Sequence, residues 1–307
     1  MYLIRHIDRL QAEDIEYLGT KRKFWFTLEG QRYLFKAEER GTGEDWAEKI
    51  VCELAGLLGL PHVHYELALE YEGQRTIQPG VVCPTFVPRP LVLILGNQML
   101  PLLDSTYPRE EQRKYGVQQY TVDIVARIVT ALKMPGQEWT AEIPEGIGSA
   151  LGVFIGYVML DAWVANQDRH HQNWGATWLD PNLRLAPTFD HGASLARNLS
   201  DEERKERLTT RDKNRSVAQF AARARSGFYG SAQDKQTLFA MEVFGRFAEL
   251  NGDAARIWLG KLAGISQVAV DSILAEIPPQ RMSPVTREFT SKLLMINQQR
   301  LLESIQT

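Results

Sequence analysis

The chain has 307 residues, 44% of them hydrophobic, and its formal net charge at pH 7 is −3. Such a chain can bury a sizeable core, and its length suits one bilobal domain or two small domains. The weakly negative charge gives no reason to expect direct binding of nucleic acid or of an anionic membrane.

The N-terminus and the cysteines indicate the cellular compartment. Residues 1–8 lack the apolar core of a secretory signal peptide. Cys52 and Cys83 are too few and too far apart in the sequence for a disulfide framework or a zinc site, which suits a reducing compartment. The prediction is a cytoplasmic protein.

A basic segment, Gly19-Thr20-Lys21-Arg22-Lys23, precedes the first strong strand pattern. It has one glycine and matches neither the Walker-type nor the kinase-type glycine-rich loop, so it is a weak phosphate-loop motif. Lys21 and Lys23 are candidates for charge-assisted hydrogen bonds to the phosphates of a nucleotide. The alternative is an exposed basic turn.

A β-hairpin is predicted next. Residues 24–28 and 32–37 are rich in aromatic and β-branched side chains and flank the turn sequence Glu29-Gly30. Lys36 lies near the end of the second strand. It is a candidate for contact with nucleotide phosphates.

A helix is predicted over residues 45–58, where apolar side chains recur at helical spacing before a glycine and a proline. Glu48 on this helix is the candidate partner of Lys36 in an ion pair. Glu44 and Glu53 remain alternatives for that pair. All three glutamates also suit a solvated helix face.

A strand-like run closed by prolines, residues 81–90, is the predicted connector between two lobes. Its backbone near Phe86 and Val87 is a candidate to hydrogen-bond the edge of an adenine ring. The sequence therefore predicts an N-lobe of residues 1–89 and a C-lobe of residues 90–307.

The C-terminal half has mainly helical periodicity. The segments with this pattern are residues 117–132, 146–160, 234–250 and 284–305. The second segment is almost wholly apolar, but it is too short for a membrane span and predicts a helix that is buried on all sides. No membrane span is expected.

The most informative sequence is Asn-Gln-Asp-Arg-His-His-Gln-Asn-Trp-Gly, residues 166–175. Asp168 supplies a carboxylate, and Asn173 supplies a carboxamide five positions later (173 − 168 = 5). A second carboxylate, Asp190, follows in the sequence Thr-Phe-Asp-His-Gly, residues 188–192.

Two short strands, residues 174–179 and 184–187, are predicted around the turn sequence Asp180-Pro181-Asn182. This hairpin would return the chain so that Asn173 and Asp190 lie close together.

These residue types suit phosphoryl transfer from a magnesium nucleotide. The reaction needs a group that orients a hydroxyl nucleophile, and Asp168 is the candidate. It also needs hard oxygen ligands for magnesium, which Asn173 and Asp190 offer. The Asp-x4-Asn spacing alone also occurs in ordinary capped loops.

A metal hydrolase is an alternative interpretation of the same region. Its ligands would be the His/Asp cluster of Asp168, His170, His171, Asp190 and His191. Such a site would leave Asn173 and the N-terminal features without a role, so it ranks behind a kinase.

Residues 200–225 are dense in charge and follow Asp190. In a kinase they would lie where an activation segment meets the substrate, so Thr209, Thr210 and Ser216 are candidate phosphosites. An exposed helix is the alternative.

Together, residues 166–175, the Asp190-x-Gly192 element, Lys36 and the helix before Pro61 resemble HipA-type kinases, the toxin components of bacterial persistence modules. More closely, these residues resemble compact HipA-like proteins, which also resemble phosphatidylinositol 3-/4-kinases. Those lipid kinases share the order Asp-Arg-His-x-x-Asn of residues 168–173.

The resemblance implies an α+β, bilobal protein-kinase-like fold with a small sheet-rich N-lobe and a larger helical C-lobe. It implies ATP and magnesium as cofactors and an antitoxin protein as a candidate partner. The resemblance implies that Asp168 is the catalytic base and that Asn173 and Asp190 are magnesium ligands. It also implies that Lys36, with Glu48 as its ion-pair partner, contacts the nucleotide. His170 is a further implied nucleotide contact.

The expected function is an ATP- and magnesium-dependent Ser/Thr protein kinase of the HipA type that also phosphorylates itself and acts as a toxin. A lipid or small-molecule kinase and a nucleotide-binding pseudokinase are the alternatives. A pseudokinase is disfavoured because Lys36, Asp168, Asn173 and Asp190 are all present.

Overall fold

The computed structural model describes residues 1–15, 22–39, 41–109 and 113–304. Lys21, a candidate phosphate contact, lies outside these residues.

The elements follow in chain order. The strands are β1 (Ile4–Asp8), β2 (Asp14–Ile15), β3 (Lys23–Leu28), β4 (Gln31–Ala37), β5 (Glu66–Glu72), β6 (Arg75–Pro84), β7 (Val92–Leu95), β8 (Gly175–Leu179), β9 (Asn182–Leu185), β10 (Arg225–Tyr229) and β11 (Thr237–Phe239). The helices are α1 (Glu44–Leu58), α2 (Gly96–Met99), α3 (Val122–Ala131), α4 (Ala150–Trp163), α5 (Asp201–Thr209), α6 (Val217–Ala222), α7 (Ala240–Leu250), α8 (Gly252–Ala263), α9 (Gln267–Glu276) and α10 (Pro284–Glu303).

A six-stranded sheet with the order β1-β5-β6-β4-β3-β2 forms the N-terminal part. β1 is parallel to β5, and the other neighbours are antiparallel. Side chains alternate along a strand, and Phe35 and Ala37 of β4 join Phe24 and Phe26 of β3 in one apolar cluster. Lys36 therefore projects to the opposite face, and α1 contacts β5 and β6.

α1 confirms the helix predicted at this place and begins one residue earlier, at Glu44. It ends at Gly59, whose φ of 74° is left-handed and whose N–H closes the last turn on the carbonyls of Ala55 and Gly56. A Cβ at position 59 would also lie 2.2 Å from the carbonyl oxygen of Glu142. Glycine is therefore required where α1 turns back toward β5.

α4 lies at the centre of the helical part and is buried at every residue except the half-buried Leu151. It contacts α3, α7, α8 and α10. The helix begins after Ser149, whose hydroxyl accepts from the N–H of Gly152. Trp258 donates to the carbonyl of the same glycine at 2.7 Å. The predicted buried helix is thus confirmed, with its start shifted from Gly146.

Other boundaries differ from the prediction. Residues 92–95 form an additional strand, β7, so that the predicted hairpin becomes the three-stranded sheet β7-β8-β9. Asn182 belongs to β9 rather than to the turn, which shortens the turn to Asp180-Pro181. Residues 237–239 pair with β10, so the helix predicted from residue 234 begins at Ala240.

The remaining predicted helices lie inside their expected ranges. The pattern over residues 117–132 yields α3, which starts after the capping hydroxyl of Thr121, and the C-terminal pattern yields α10. In the part of the chain that the structure describes, no single helix has the length and apolar composition to cross a membrane. The helices α8 and α9 have that length and composition only when they are taken together, and the pair is bent.

The fold class is α+β, with a sheet-rich N-terminal part and a helical C-terminal part, as the sequence predicts. The domain boundary after residue 89 stays a prediction.

Candidate active site

Lys36 joins three parts of the chain at the candidate site. Its Nζ lies 2.6 Å from Oε1 of Glu48 on α1 and 2.6 Å from Oδ1 of Asp190, which follows β9. The second carboxylate oxygen of Glu48 accepts from the N–H of His191 at 2.9 Å. The predicted ion pair between Lys36 and Glu48 is therefore present, and Asp190 completes it.

The other two glutamates of α1 have different partners. Glu44 pairs with Arg197 at 2.7 Å, and Glu53 pairs with Lys49. Glu44 lies one turn before Glu48 on α1, and of the three candidates only Glu48 meets the lysine of the sheet.

The charges of this network stabilise one another. Burial lowers the pKa of Lys36, but the carboxylates of Asp190 and Glu48 outweigh burial and hold that pKa well above its usual range. Burial raises the pKa of Glu48, and the ammonium of Lys36 opposes that rise. Lys36 is therefore a cation at neutral pH, as contact with a phosphate requires.

Lys23 lies beside Lys36. The two residues are direct partners across β3 and β4, so their side chains lie on the same face of the sheet. The pKa of Lys23 is lowered, because burial outweighs the opposing effect of the nearby carboxylate of Asp190. The structure thus brings this lysine of the basic segment to the same site.

Asp168 and Asn173 lie on a loop that closes on itself. The N–H of Asp168 donates to Oδ1 of Asn166 at 3.1 Å, and Nδ2 of Asn173 donates to the carbonyl of Asp168 at 2.7 Å. Because the amide nitrogen of Asn173 is held in this way, its Oδ1 is the atom that can face a cation. One carboxylate oxygen of Asp168 accepts from the hydroxyl of Tyr115 at 2.8 Å.

Arg169 is buried and ties this loop to the segment around Asp190. It donates to both carboxylate oxygens of Asp161, at 2.6 and 2.8 Å, and to the carbonyl of Asn173. It also donates to Oγ1 of Thr188 and Nε2 of His191, each at 3.0 Å. One side chain therefore connects the end of α4, the loop and the residues that flank Asp190, a role that the sequence analysis missed.

The histidines of the motif are neutral. Nδ1 of His171 accepts from the hydroxyl of Tyr107 at 2.6 Å, and its Nε2 donates to the carbonyl of Arg113 at 2.8 Å. Burial lowers the pKa of His170 and of His171 to about 4, and it holds the pKa of His191 well below its usual range. Within the described ranges, these histidines and aspartates do not form a group of three metal ligands, which disfavours the metal-hydrolase interpretation.

His170 lies beside Asp168: its Nε2 is 3.7 Å from a carboxylate oxygen of that residue. Its Nδ1 accepts from the N–H of Gln172 at 3.1 Å. A contact between His170 and a nucleotide stays a prediction.

Asn173 and Asp190 fit a magnesium ion by their chemistry. A carboxamide oxygen and a carboxylate are hard oxygen ligands. The φ of Asp190 is 61°, a left-handed conformation that is costly for a residue with a side chain and that occurs often at functional sites. Arg169 bonds to the side chains of Thr188 and His191, which lie on either side of this strained residue.

The connector reaches the same region. The ring of Phe86 stacks on that of Phe189, the neighbour of Asp190, with centroids 5.4 Å apart. The N–H of Val87 donates to Oγ1 of Thr85 at 3.3 Å, so it is engaged within the connector. The predicted hydrogen bond to an adenine edge would have to replace that contact if Val87 is the donor.

A cavity of about 260 Å³ opens beside Asp168. Its lining includes Lys114, Tyr115 and Arg225. Gly227 is also in the lining, and a Cβ there would lie 2.8 Å from the carbonyl of Arg169. These residues could not be predicted from the sequence, because they lie far from the motif in the chain and form no motif of their own.

No protein-family model and no curated protein matches the chain. A crystal structure of a Helicobacter pylori proinflammatory kinase, CtkA, is similar at 16% identity and a TM-score of 0.67, covering 97% of this chain and 96% of that chain. HipA in a complex from Shewanella oneidensis MR-1, a toxin–antitoxin system of HipA, HipB and operator DNA, is similar at 12% identity and a TM-score of 0.56. That match covers 94% of this chain and 65% of the other. The predicted HipA-like kinase fold is therefore confirmed.

Proposed function

We propose that the protein is an ATP- and magnesium-dependent kinase of the HipA type that phosphorylates Ser or Thr residues of proteins, including its own. The observation that supports this most strongly is the placement of Lys36 between Glu48 and Asp190. A lysine held in this way is suited to bind nucleotide phosphates.

In this proposal the chain holds the nucleotide through charge. Lys36 and Lys23 would contact phosphate oxygens from the sheet face, and Asn173 and Asp190 would hold magnesium. When bound, the ion reduces the negative charge that develops on the phosphate oxygens. The adenine would contact the connector near Phe86, whose ring stacks on that of Phe189, the neighbour of Asp190.

Asp168 orients the acceptor. Its carboxylate already accepts a hydrogen bond from a hydroxyl group, that of Tyr115, at 2.8 Å. An acceptor Ser or Thr takes the place of this hydroxyl. Its oxygen forms the new bond to the γ-phosphorus, the bond to the β–γ bridging oxygen breaks, the proton passes to Asp168, and ADP leaves.

An antitoxin protein is the proposed partner. The solved structure of the HipA complex contains HipB, and the similarity of fold supports a partner of that kind. A role as a toxin rests on the same similarity.

A lipid or small-molecule kinase is the second candidate. The cavity beside Asp168 has room for a small acceptor and has Lys114 and Arg225 in its lining, which would suit an anionic one. A pseudokinase is less favoured, because the ion pairs of Lys36 are intact.

The acceptor class can be tested with ATP labelled at the γ-phosphate. The purified protein is incubated with magnesium and labelled ATP, either alone, with casein, or with vesicles that contain phosphatidylinositol. Label on Ser or Thr of the chain or of casein supports the proposal, and mapping shows whether Thr209, Thr210 or Ser216 is modified. Label confined to the lipid contradicts it and supports the second candidate.

A further inference from the structure

A cluster of metal-ligating side chains lies outside the candidate active site. It consists of Cys52 on α1 and of His62 and His64 in the loop between α1 and β5. One ligand atom of each residue lies within 4.8 Å of the other two. Sγ of Cys52 is 3.6 Å from Nδ1 of His64.

This last distance suits coordination to one ion. A tetrahedral zinc ion with bonds of about 2.3 Å to sulfur and about 2.0 Å to nitrogen holds these two atoms about 3.5 Å apart. The remaining separations would have to shorten on binding. His64 is exposed and lies in a loop, so it can make that adjustment.

The orientation of His62 also suits a ligand. Its Nδ1 lies 2.7 Å from the carbonyl oxygen of Leu60, so this nitrogen donates the proton. Nε2 then has the lone pair. Histidines that bind metals are commonly held by such a hydrogen bond from the second ring nitrogen to a backbone carbonyl.

The cluster has an inner and an outer side. Cys52 is 3% exposed, His62 is half-buried and His64 is exposed. The thiol sulfur also accepts from the N–H of Tyr65 at 3.4 Å, a contact that stabilises negative charge on sulfur. An ion can therefore enter past His64 and reach a sulfur that is shielded from solvent.

We propose that Cys52, His62 and His64 form a binding site for a zinc-like transition-metal ion, with water as the fourth ligand. One thiolate and two imidazoles favour such ions over magnesium and calcium, which prefer oxygen ligands. Binding displaces the thiol proton into the solvent.

Metal binding has to displace the proton of Cys52. Burial raises the pKa of the thiol to about 12, so the group is protonated and unreactive until a cation binds. The two cysteines alone do not predict a zinc site. The fold supplies two histidines in place of further cysteines.

The site would connect α1 to the segment that leads to Asp190. The N–H of Val63 donates to the carbonyl of Thr188 at 3.0 Å, and the N–H of Thr188 donates to the carbonyl of Pro61 at 2.9 Å. Metal binding would fasten this loop to α1 one turn beyond Glu48. The inference does not depend on the proposed kinase activity, because none of the three ligands belongs to the candidate active site.

Cobalt(II) is a suitable probe, because bonding to a thiolate produces a charge-transfer band in the near ultraviolet and tetrahedral coordination produces strong visible bands. We expect one cobalt ion per chain of the reduced full-length protein, displaced by zinc. Cys52→Ser should lose the charge-transfer band. His64→Gln should weaken binding by more than the roughly 10- to 100-fold that loss of an outer-shell partner costs.

Cys83→Ser is the matched control, because Cys83 is equally buried and is not in the cluster. It should bind cobalt with unchanged bands. His64 is exposed, so its replacement should leave the fold intact, and a thermal melt of each variant checks this. Absence of the charge-transfer band from the wild type, its persistence in Cys52→Ser, or wild-type affinity of His64→Gln would overturn the proposal.

Discussion

The candidate site consists of buried and half-buried polar residues that are joined by ion pairs and hydrogen bonds. Lys36 neutralises two carboxylates, and Arg169 uses its whole guanidinium group to hold the loop. The neighbouring histidines are different, because burial keeps them neutral. Their protonation in acid should therefore oppose folding.

We predict that stability falls between about pH 6.5 and about pH 4. His170 and His171 titrate near 4 in the folded chain against 6.5 in the unfolded chain, so over this interval the unfolded chain binds more protons. The stabilisation that the neutral histidines provide is complete above about pH 6.5 and is lost as the pH falls to about 4. Each shift corresponds to about 3 kcal/mol. Urea unfolding across this pH range measures the loss.

The slope of stability against pH is the informative quantity, because His171→Gln also removes the hydrogen bond to Tyr107. His171→Gln should reduce the slope, whereas His6→Gln, a change at an exposed position, should leave it unchanged. A flat profile for the wild type would show that these histidines are not kept neutral by the fold.

At the scale of elements, a buried ion pair links α4 to the Asp168 loop. Asp161 in the last turn of α4 binds Arg169 through two hydrogen bonds and also accepts from Nδ2 of Asn166 at 2.7 Å. Removing the carboxylate would leave the guanidinium buried without its partner charge.

We therefore expect Asp161→Ala to lower the free energy of unfolding by about 3 to 5 kcal/mol. Asp253→Ala is the matched control, because it removes an aspartate that pairs with an arginine, Arg256, on the exposed face of α8. Asp253→Ala should lower the free energy of unfolding by less than about 1 kcal/mol. Denaturant unfolding measures the loss of stability in both variants. Equal losses would contradict the role given to Arg169.

The elements with strong local patterns could be predicted, and those that depend on distant partners could not. The β3–β4 hairpin, α1 and α4 have turn residues, helical spacing or continuous apolar sequence of their own. β7 is a strand because it pairs with β8, which lies far along the chain. Residues 237–239 pair with β10, which delays the start of α7 in a way that helical periodicity does not reveal.

At the scale of the whole molecule, the candidate site combines side chains from both halves. β4 and α1 supply Lys36 and Glu48, and the helical part supplies Asp168, Asn173 and Asp190. The motif spacing pointed to Asp168, Asn173 and Asp190, because phosphoryl transfer uses those residue types in that order. Lys36 and Glu48 were predicted from the strand and helix patterns, with Glu44 and Glu53 as alternatives to Glu48. Sequence reasoning could not find Tyr115, Arg225 or the Cys52 cluster, which only the folding of distant segments brings into place.

Magnesium-dependent transfer of the γ-phosphate of ATP tests the central claim most directly. The variants are Asp168→Asn and Asp190→Asn, with Asp180→Asn, an exposed aspartate of the β8–β9 turn, as the control. We expect transfer by the wild type and the control only with magnesium, a loss of about 100- to 10,000-fold in Asp168→Asn with nucleotide binding retained, and no transfer by Asp190→Asn. Transfer at equal rates in all four proteins, or no transfer and no nucleotide binding by the wild type, would contradict the account.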